Sequence, residues 1–439
     1  MKIKIFLMLA ILLPKVSSSQ EMIREVYEEP SSFSMARLDN LEKNWVVYNE
    51  NAEYSSFGVM DTDGVHSQFV KTQQQIHVRD MLVLGDALYF CGSIYDCSSK
   101  TDIGVMGRFT ISEIKYSPST MTVKYMPFEE FKVLKKMDRY DMNGCKHVVM
   151  VGTGQDGKDY IVDAYTQNNP LAPNPNAWYR AWAYMPNIDA VFDDIAVAYS
   201  KVVVSARIEN QMEVQLCFIA PNPLITGPFF NTSVIDMVKV PGEPTDRVLL
   251  QHVDNDTVFA IYRRGPYLDI CKFVGEDNNF SIRIPILHTS GYFPEFFILK
   301  DVCIDKNRDE FSILLTKVYY TTPFHQIYHI PSSLFPSGGS VDGHEYNLST
   351  PLHTPMTLCG GINHETVSMG RLLESLSLGR VKNSLFGSCT TQLSAEAGER
   401  DGSLKPIEKN IVKTIESAEY KEMSVLETKR GVSPVCDEY

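Results

Sequence analysis

One short pattern recurs along this chain and restricts its fold more than any other feature. An apolar strand, often opened by Asp, is followed by a polar turn and a second strand rich in β-branched and aromatic residues. Copies begin at Asp80 (DMLVLGDALYFCGS), Asp194 (DIAVAYSKVVVSAR), Asp246 (DRVLLQHVDNDTVFAIYR) and Asp301 (DVCIDKNRDEFSILLTK). Successive marks are 114, 52 and 55 residues apart, and the long gap predicts a further copy near Cys145, in CKHVVMVGTGQDGKDYIVDAYT. Another 55 residues beyond Asp301 reaches Met356, where MTLCGGINHETVSMGRL repeats the layout. Hairpins at a period of roughly 50 bury their faces only against neighbouring copies, which predicts an all-β propeller.

Strands between Trp45 and the first full copy set the blade count. Six blades follow if they complete the blade that starts near Met356, and seven follow if they form one of their own. Residues 20–44 read as an irregular N-terminal segment, with Pro30 and the serines at 31, 32 and 34 as breakers. Residues 45–393 read as the propeller and 394–439 as a polar C-terminal tail. In that tail Ile407, Ile411 and Ile415 recur every four residues after Pro406, the spacing of an amphipathic helix. A tail that is helical or disordered is therefore expected. NNPLAPNPN (168–176) and PSGGSVDGH (336–344) read as loops by composition.

Residues 1–19 read as a secretory signal peptide: Lys2 and Lys4, an apolar run from Ile5 to Leu13, then Ser17, Ser18 and Ser19. That run is far short of the ~20 apolar residues that span a bilayer, and no other stretch is long enough, so no transmembrane segment is expected. The expected location is outside the cytoplasm, either periplasmic or extracellular. The chain is acidic, with a net charge of −13. Such a surface repels polyanions, and no run of Lys or Arg offsets it, so nucleic acid is excluded as a partner.

Nine cysteines leave at least one unpaired in a monomer. Cys145, Cys217, Cys271, Cys303 and Cys359 occupy strand positions in separate repeats and read as small buried hydrophobes. Cys91 and Cys97 (CGSIYDC) close a strand, and an exported chain could join them in a local disulfide. No CxxC pair or His-rich cluster marks a zinc site, and no cofactor is expected.

Two residue sets are candidates for ligand contact. If the first strand of each repeat lines the axis, Asp80, Asp194, Asp246 and Asp301 form an acidic ring in a central channel, suited to a cation or basic ligand. The same residues also suit a structural role, because Asp at a strand start bonds backbone N–H groups. In AWYRAWAYMPN, the residues Trp178, Arg180, Trp182 and Tyr184 alternate along a strand and could stack on a sugar or other planar ligand. Packing between blades accounts for the same pattern. The turns at 305–310, 253–258 and 154–159 are rich in oxygen ligands but lack the Gly and closing Glu of a calcium loop.

This layout resembles secreted bacterial β-propeller proteins over residues 45 to about 390. The resemblance implies a fold and carries no catalytic residues with it. G-x-S-x-G, HExxH, Walker A and Rossmann fingerprints are all missing from the sequence. The reading is thus an exported, non-catalytic binding or interaction protein with a ligand site on a propeller rim, carbohydrate being one candidate. Its partner would be a small molecule, a glycan or another envelope protein. The alternative is a carbohydrate-active hydrolase or lyase using carboxylates at the channel mouth.

Overall fold

The computed structural model describes residues 21–436 apart from segments between elements, the longest at 167–177, 222–229, 240–246, 287–295, 332–338, 383–389 and 398–404. The expected signal at 1–19 lies outside the described residues, as does the Pro/Asn-rich loop at 168–176. Among the described residues no helix is long and apolar enough to cross a membrane.

The chain enters with β1 (Glu21–Pro30) and then builds successive antiparallel meanders. β2 to β5 are Phe33–Asp39, Asn44–Glu50, Ser55–Met60 and His66–Thr72. β6 to β9 are Ile76–Leu84, Ala87–Asp96, Thr101–Thr110 and Thr122–Phe128, with a short helix α1 (Ile111–Tyr116) before the last. β10 to β13 are Phe131–Met142, Cys145–Gly154, Asp159–Thr166 and Trp178–Pro186. β14 to β17 are Ala190–Ala198, Lys201–Ile208, Glu213–Pro221 and Phe230–Lys239. β18 to β21 are Leu249–Asp254, Thr257–Arg264, Tyr267–Val274 and Asn278–Pro285. β22 to β24 are Phe296–Asp305, Glu310–Tyr319 and Thr322–Pro331, followed by β25 (Gly339–His344) and β26 (Tyr346–Asn347). β27 to β29 are His353–Gly360, Glu365–Leu372 and Ser375–Lys382. The tail supplies β30 (Thr390–Ala397), β31 (Lys405–Ile407), β32 (Asn410–Ile415), β33 (Lys421–Gly431) and β34 (Ser433–Cys436).

The first strands of the meanders neighbour one another in the order β2, β6, β10, β14, β18, β22 and β27, and β27 packs back against β2. That closure makes a propeller-like ring. Its core lies between neighbouring meanders. Phe259, Ile270 and Ile282 of one meander meet Phe297, Phe311 and Ile313 of the next. Likewise Tyr48 and Phe57 meet Phe90 and Phe109, with the Phe57 ring 5.2 Å from Phe90 and 4.9 Å from Phe109. Second strands such as β15 and β19 are buried on both faces, so they read as apolar runs, whereas the first strands β6 and β14 mix buried with partly exposed positions.

The strands group differently from the expected six or seven blades. Five sheets stand as separate units of four to six strands, while β2–β5 and β6–β9 share one nine-stranded sheet. They merge because β33 lies between β5 and β9 and pairs with both. Ring closure departs from the six-blade expectation, in which the strands from Trp45 complete the blade near Met356. The blade near Met356 is completed by β1, in the stretch expected to be irregular, while the strands from Trp45 belong to a meander of their own.

Tail residues expected to form a helix are strands instead. Ile407 pairs with Ile235, Ile411 with Met185 and Ile415 with Ala181. The physical reason is edge chemistry: the outermost strand of each meander has a free row of N–H and C=O groups, and pairing satisfies them. In chain order β30, β31, β32, β33 and β34 cover β21, β17, β13, then β9 with β5, and finally β1. The tail thus runs round the ring against the order in which the meanders were laid down. Part of the expected 336–344 loop is also a strand, since β25 pairs with β30.

The Cys91–Cys97 disulfide does not form. Both thiols are free, Cys91 buried and Cys97 exposed. Cys91 sits inside β7, and Cys97 follows its last residue, Asp96. Six residues of extended chain separate their Cα atoms by about 20 Å, beyond the roughly 4.4–6.8 Å a disulfide spans.

Candidate functional site

A bulge recurs in the first strands. The pairing register shifts immediately before Asp80 in β6, Lys136 in β10, Asp194 in β14, Asp301 in β22 and Thr357 in β27. A bulge breaks the two-residue alternation and re-aims the side chain that follows it. Here it brings matched positions towards the ring axis. A cavity of about 260 Å³ lies there, lined by residues of every first strand, among them Arg37, Asp80, Lys136, Asp194, Leu250, Asp301 and Leu358.

The carboxylates share one bonding scheme. Asp194 Oδ1 accepts the Ile195 N–H at 2.9 Å, and its Oδ2 accepts the Leu250 N–H of the next first strand, also at 2.9 Å. Asp301 takes Val302 N–H at 3.0 Å and Leu358 N–H at 2.8 Å in the same way. Asp80 takes Met81 N–H at 3.0 Å and Met137 N–H at 3.2 Å. Each therefore clasps its own strand to the following one, which satisfies buried backbone donors that the curved ring leaves unpaired. Asp138, two residues beyond Lys136, makes an equivalent clasp to Arg139 and Val197, each at 2.7 Å.

Of the sequence-predicted acidic ring, the structure brings Asp80, Asp194 and Asp301 to this cavity, while Asp246 lies outside the described residues. In that meander the matching position is Leu249, because it is the N–H of Leu250 that Asp194 holds. The copy expected at Cys145 is displaced by one strand. Cys145 opens β11, the second strand of its meander, and the first strand is β10. Arg37, Lys136, Asp138 and His252 were missed. A signal was present for Lys136, which stands 56 residues after Asp80 and 58 before Asp194.

Charges of both signs meet in the cavity. Arg37 donates to Asp80 Oδ1 at 2.7 Å and to the Met81 carbonyl at 3.0 Å. His252 Nδ1 is 3.6 Å from Asp138 Oδ2. Lys136 makes no hydrogen bond or ion pair among the described residues. Burial disfavours its charge, but the fields of Asp80, Asp194 and Asp301 together outweigh burial and hold its pKa above the ordinary lysine value. Burial pushes Asp194 up to about 6, opposed by the Lys136 charge and the Leu250 N–H. Burial raises Asp138 too, opposed first by His252. Among the described residues, no three His, Cys, Asp or Glu side chains converge as metal ligands. Each acid of the ring is tied to its own pair of strands.

The aromatic set lies elsewhere. Trp178, Arg180, Trp182 and Tyr184 are on β13, the fourth strand out from the axis, where Trp182 is in register with Asp163 and β32 pairs along the outer edge. The side chains of the four lie outside the described residues.

Fold and site together define a β-propeller-like ring with a mixed-charge axial cavity, a class that hosts many unrelated functions. No protein-family model matches the chain, and no curated protein matches it closely enough to count as a relative.

Proposed function

We propose that this chain is an exported, non-catalytic binding protein whose ligand sits in the axial cavity. One observation carries the reading: the bulge repeated in β6, β10, β14 and β22 aims charged side chains of both signs into a single space at the ring axis. Concave sites with a few converging polar groups are the usual form of small-ligand pockets. Binding is favoured over catalysis because both oxygens of Asp80, Asp194 and Asp301 already accept backbone N–H bonds that hold the ring together. A glycan is one ligand class to include, and the aromatic strand 178–186 is a separate, second contact to examine.

A ligand screen by thermal shift on residues 20–439 tests this, with Gln251→Trp as the partner variant. Gln251 lines the cavity and is half-buried, so a larger side chain there fills space without displacing core. Ligands that raise the melting temperature of the native protein should fail with Gln251→Trp. Binding that survives the change places the site elsewhere. One observation favours the enzymatic alternative, since Asp194, held near 6, has the pKa of a general acid. Glycan turnover that stops in Asp194→Asn would replace the binding reading.

A further inference from the structure

Lys136 is the anomaly of the axial cavity. At the position where three other first strands carry Asp, this strand carries an ammonium, and the group faces the cavity with no hydrogen bond or ion pair among the described residues. An ammonium has three donors, and leaving them unmet away from bulk water is costly. Arg37, by contrast, is spent on Asp80 and on backbone carbonyls. Asp194 and Asp301 each use one lone pair per oxygen on backbone N–H groups, which leaves further acceptor capacity, and neither has a cation within ion-pair distance among the described residues.

These groups select against simple charges. An anion on Lys136 would sit among four carboxylates, Asp80, Asp138, Asp194 and Asp301. A cation on the carboxylates would sit beside a lysine that those same carboxylates keep charged. Coulomb repulsion in a partly enclosed site penalises either. A ligand that carries both charges complements both sets.

Resting on the axial-cavity reading, we infer that the ligand is a small zwitterion of amino-acid size. Its carboxylate accepts from Lys136 Nζ, and its ammonium donates to Asp194 and Asp301. The cavity volume of about 260 Å³ suits a molecule of that size.

Isothermal titration with glycine, L-alanine, L-glutamine and γ-aminobutyrate tests the inference. N-acetylated and methyl-esterified forms of each, glucose, and inorganic phosphate are titrated alongside. At least one zwitterion should bind, and blocking either charged end should weaken it roughly ten- to hundredfold, the worth of a hydrogen bond to a charged group. Lys136→Met should weaken the zwitterion by a similar factor, while Lys132→Met, at an exposed site on the same strand, should leave it unchanged. If Lys136→Met fails to fold, Lys136→Gln and the blocked ligands give the same comparison. Zwitterion binding indifferent to end-blocking or to Lys136 overturns the inference. So does a panel in which no zwitterion binds. If glucose or phosphate binds and is lost in Gln251→Trp, the zwitterion inference fails while the cavity reading stands. If every bound probe survives Gln251→Trp, both fail.

Discussion

Replacing Asp194 by Asn isolates one buried acid of the ring and gives a stability change that can be worked in advance. Burial lifts the Asp194 pKa to about 6 from 3.8, against the opposing pull of Lys136 and the Leu250 N–H. Between these values the folded state holds the proton while the unfolded chain has released it. A carboxyl raised in this way stabilises the fold below its unfolded pKa, and the contribution is lost as pH climbs through the folded value. The free energy involved is about 3 kcal/mol. Asn has no proton to release. The wild-type stability minus that of Asp194→Asn should therefore fall by about 3 kcal/mol between about pH 3 and pH 7. Urea unfolding followed by tryptophan fluorescence, with linear extrapolation at several pH values in that range, measures the difference directly. A difference that is flat, or that grows as pH rises, refutes the assignment of Asp194 as a burial-raised acid.

Three further outcomes follow from the same geometry. Alkylation of the folded protein should label exposed Cys97 quickly and buried Cys91 only on unfolding, as read by peptide mass spectrometry; equal rates would contradict the placement of Cys91 in the core. Gly92→Ala should lower stability by roughly 1–3 kcal/mol in denaturant titration, because the new methyl meets the His77 carbonyl oxygen of β6, a backbone atom with little room to yield. Deleting 394–439 uncovers the outer edges of β1, β5, β9, β13, β17 and β21, and should cause concentration-dependent aggregation by light scattering; a monodisperse truncated protein would show that the edges need no cover.

The repeat was legible in the sequence because each first strand pairs with the second through a short turn, as at Leu84 to Ala87 and Ala198 to Lys201, so the hairpin shows as contiguous text. Asp80, Asp194 and Asp301 could be found because their position recurs at a nearly constant interval. Lys136 and Leu249 were not, since a register position held by a different residue type leaves no mark in a search for Asp. Pairings between distant segments were equally hidden. β1 with β29 and β33 with β5 join residues more than 300 apart, and nothing local in either strand names its partner. Ile407, Ile411 and Ile415 show how local spacing misleads. A four-residue period suits a helix, but open sheet edges nearby offer backbone bonds that an isolated short helix cannot match in water.

The binding account rests on the axis of the ring, and a structure of the protein with a ligand from the titrations tests it most directly. The account predicts the ligand within the axial cavity, with its acceptor on Lys136 and its donor between Asp194 and Asp301. A ligand seated on the strand 178–186, or anywhere that touches none of Arg37, Lys136, Asp194 and Asp301, would contradict it.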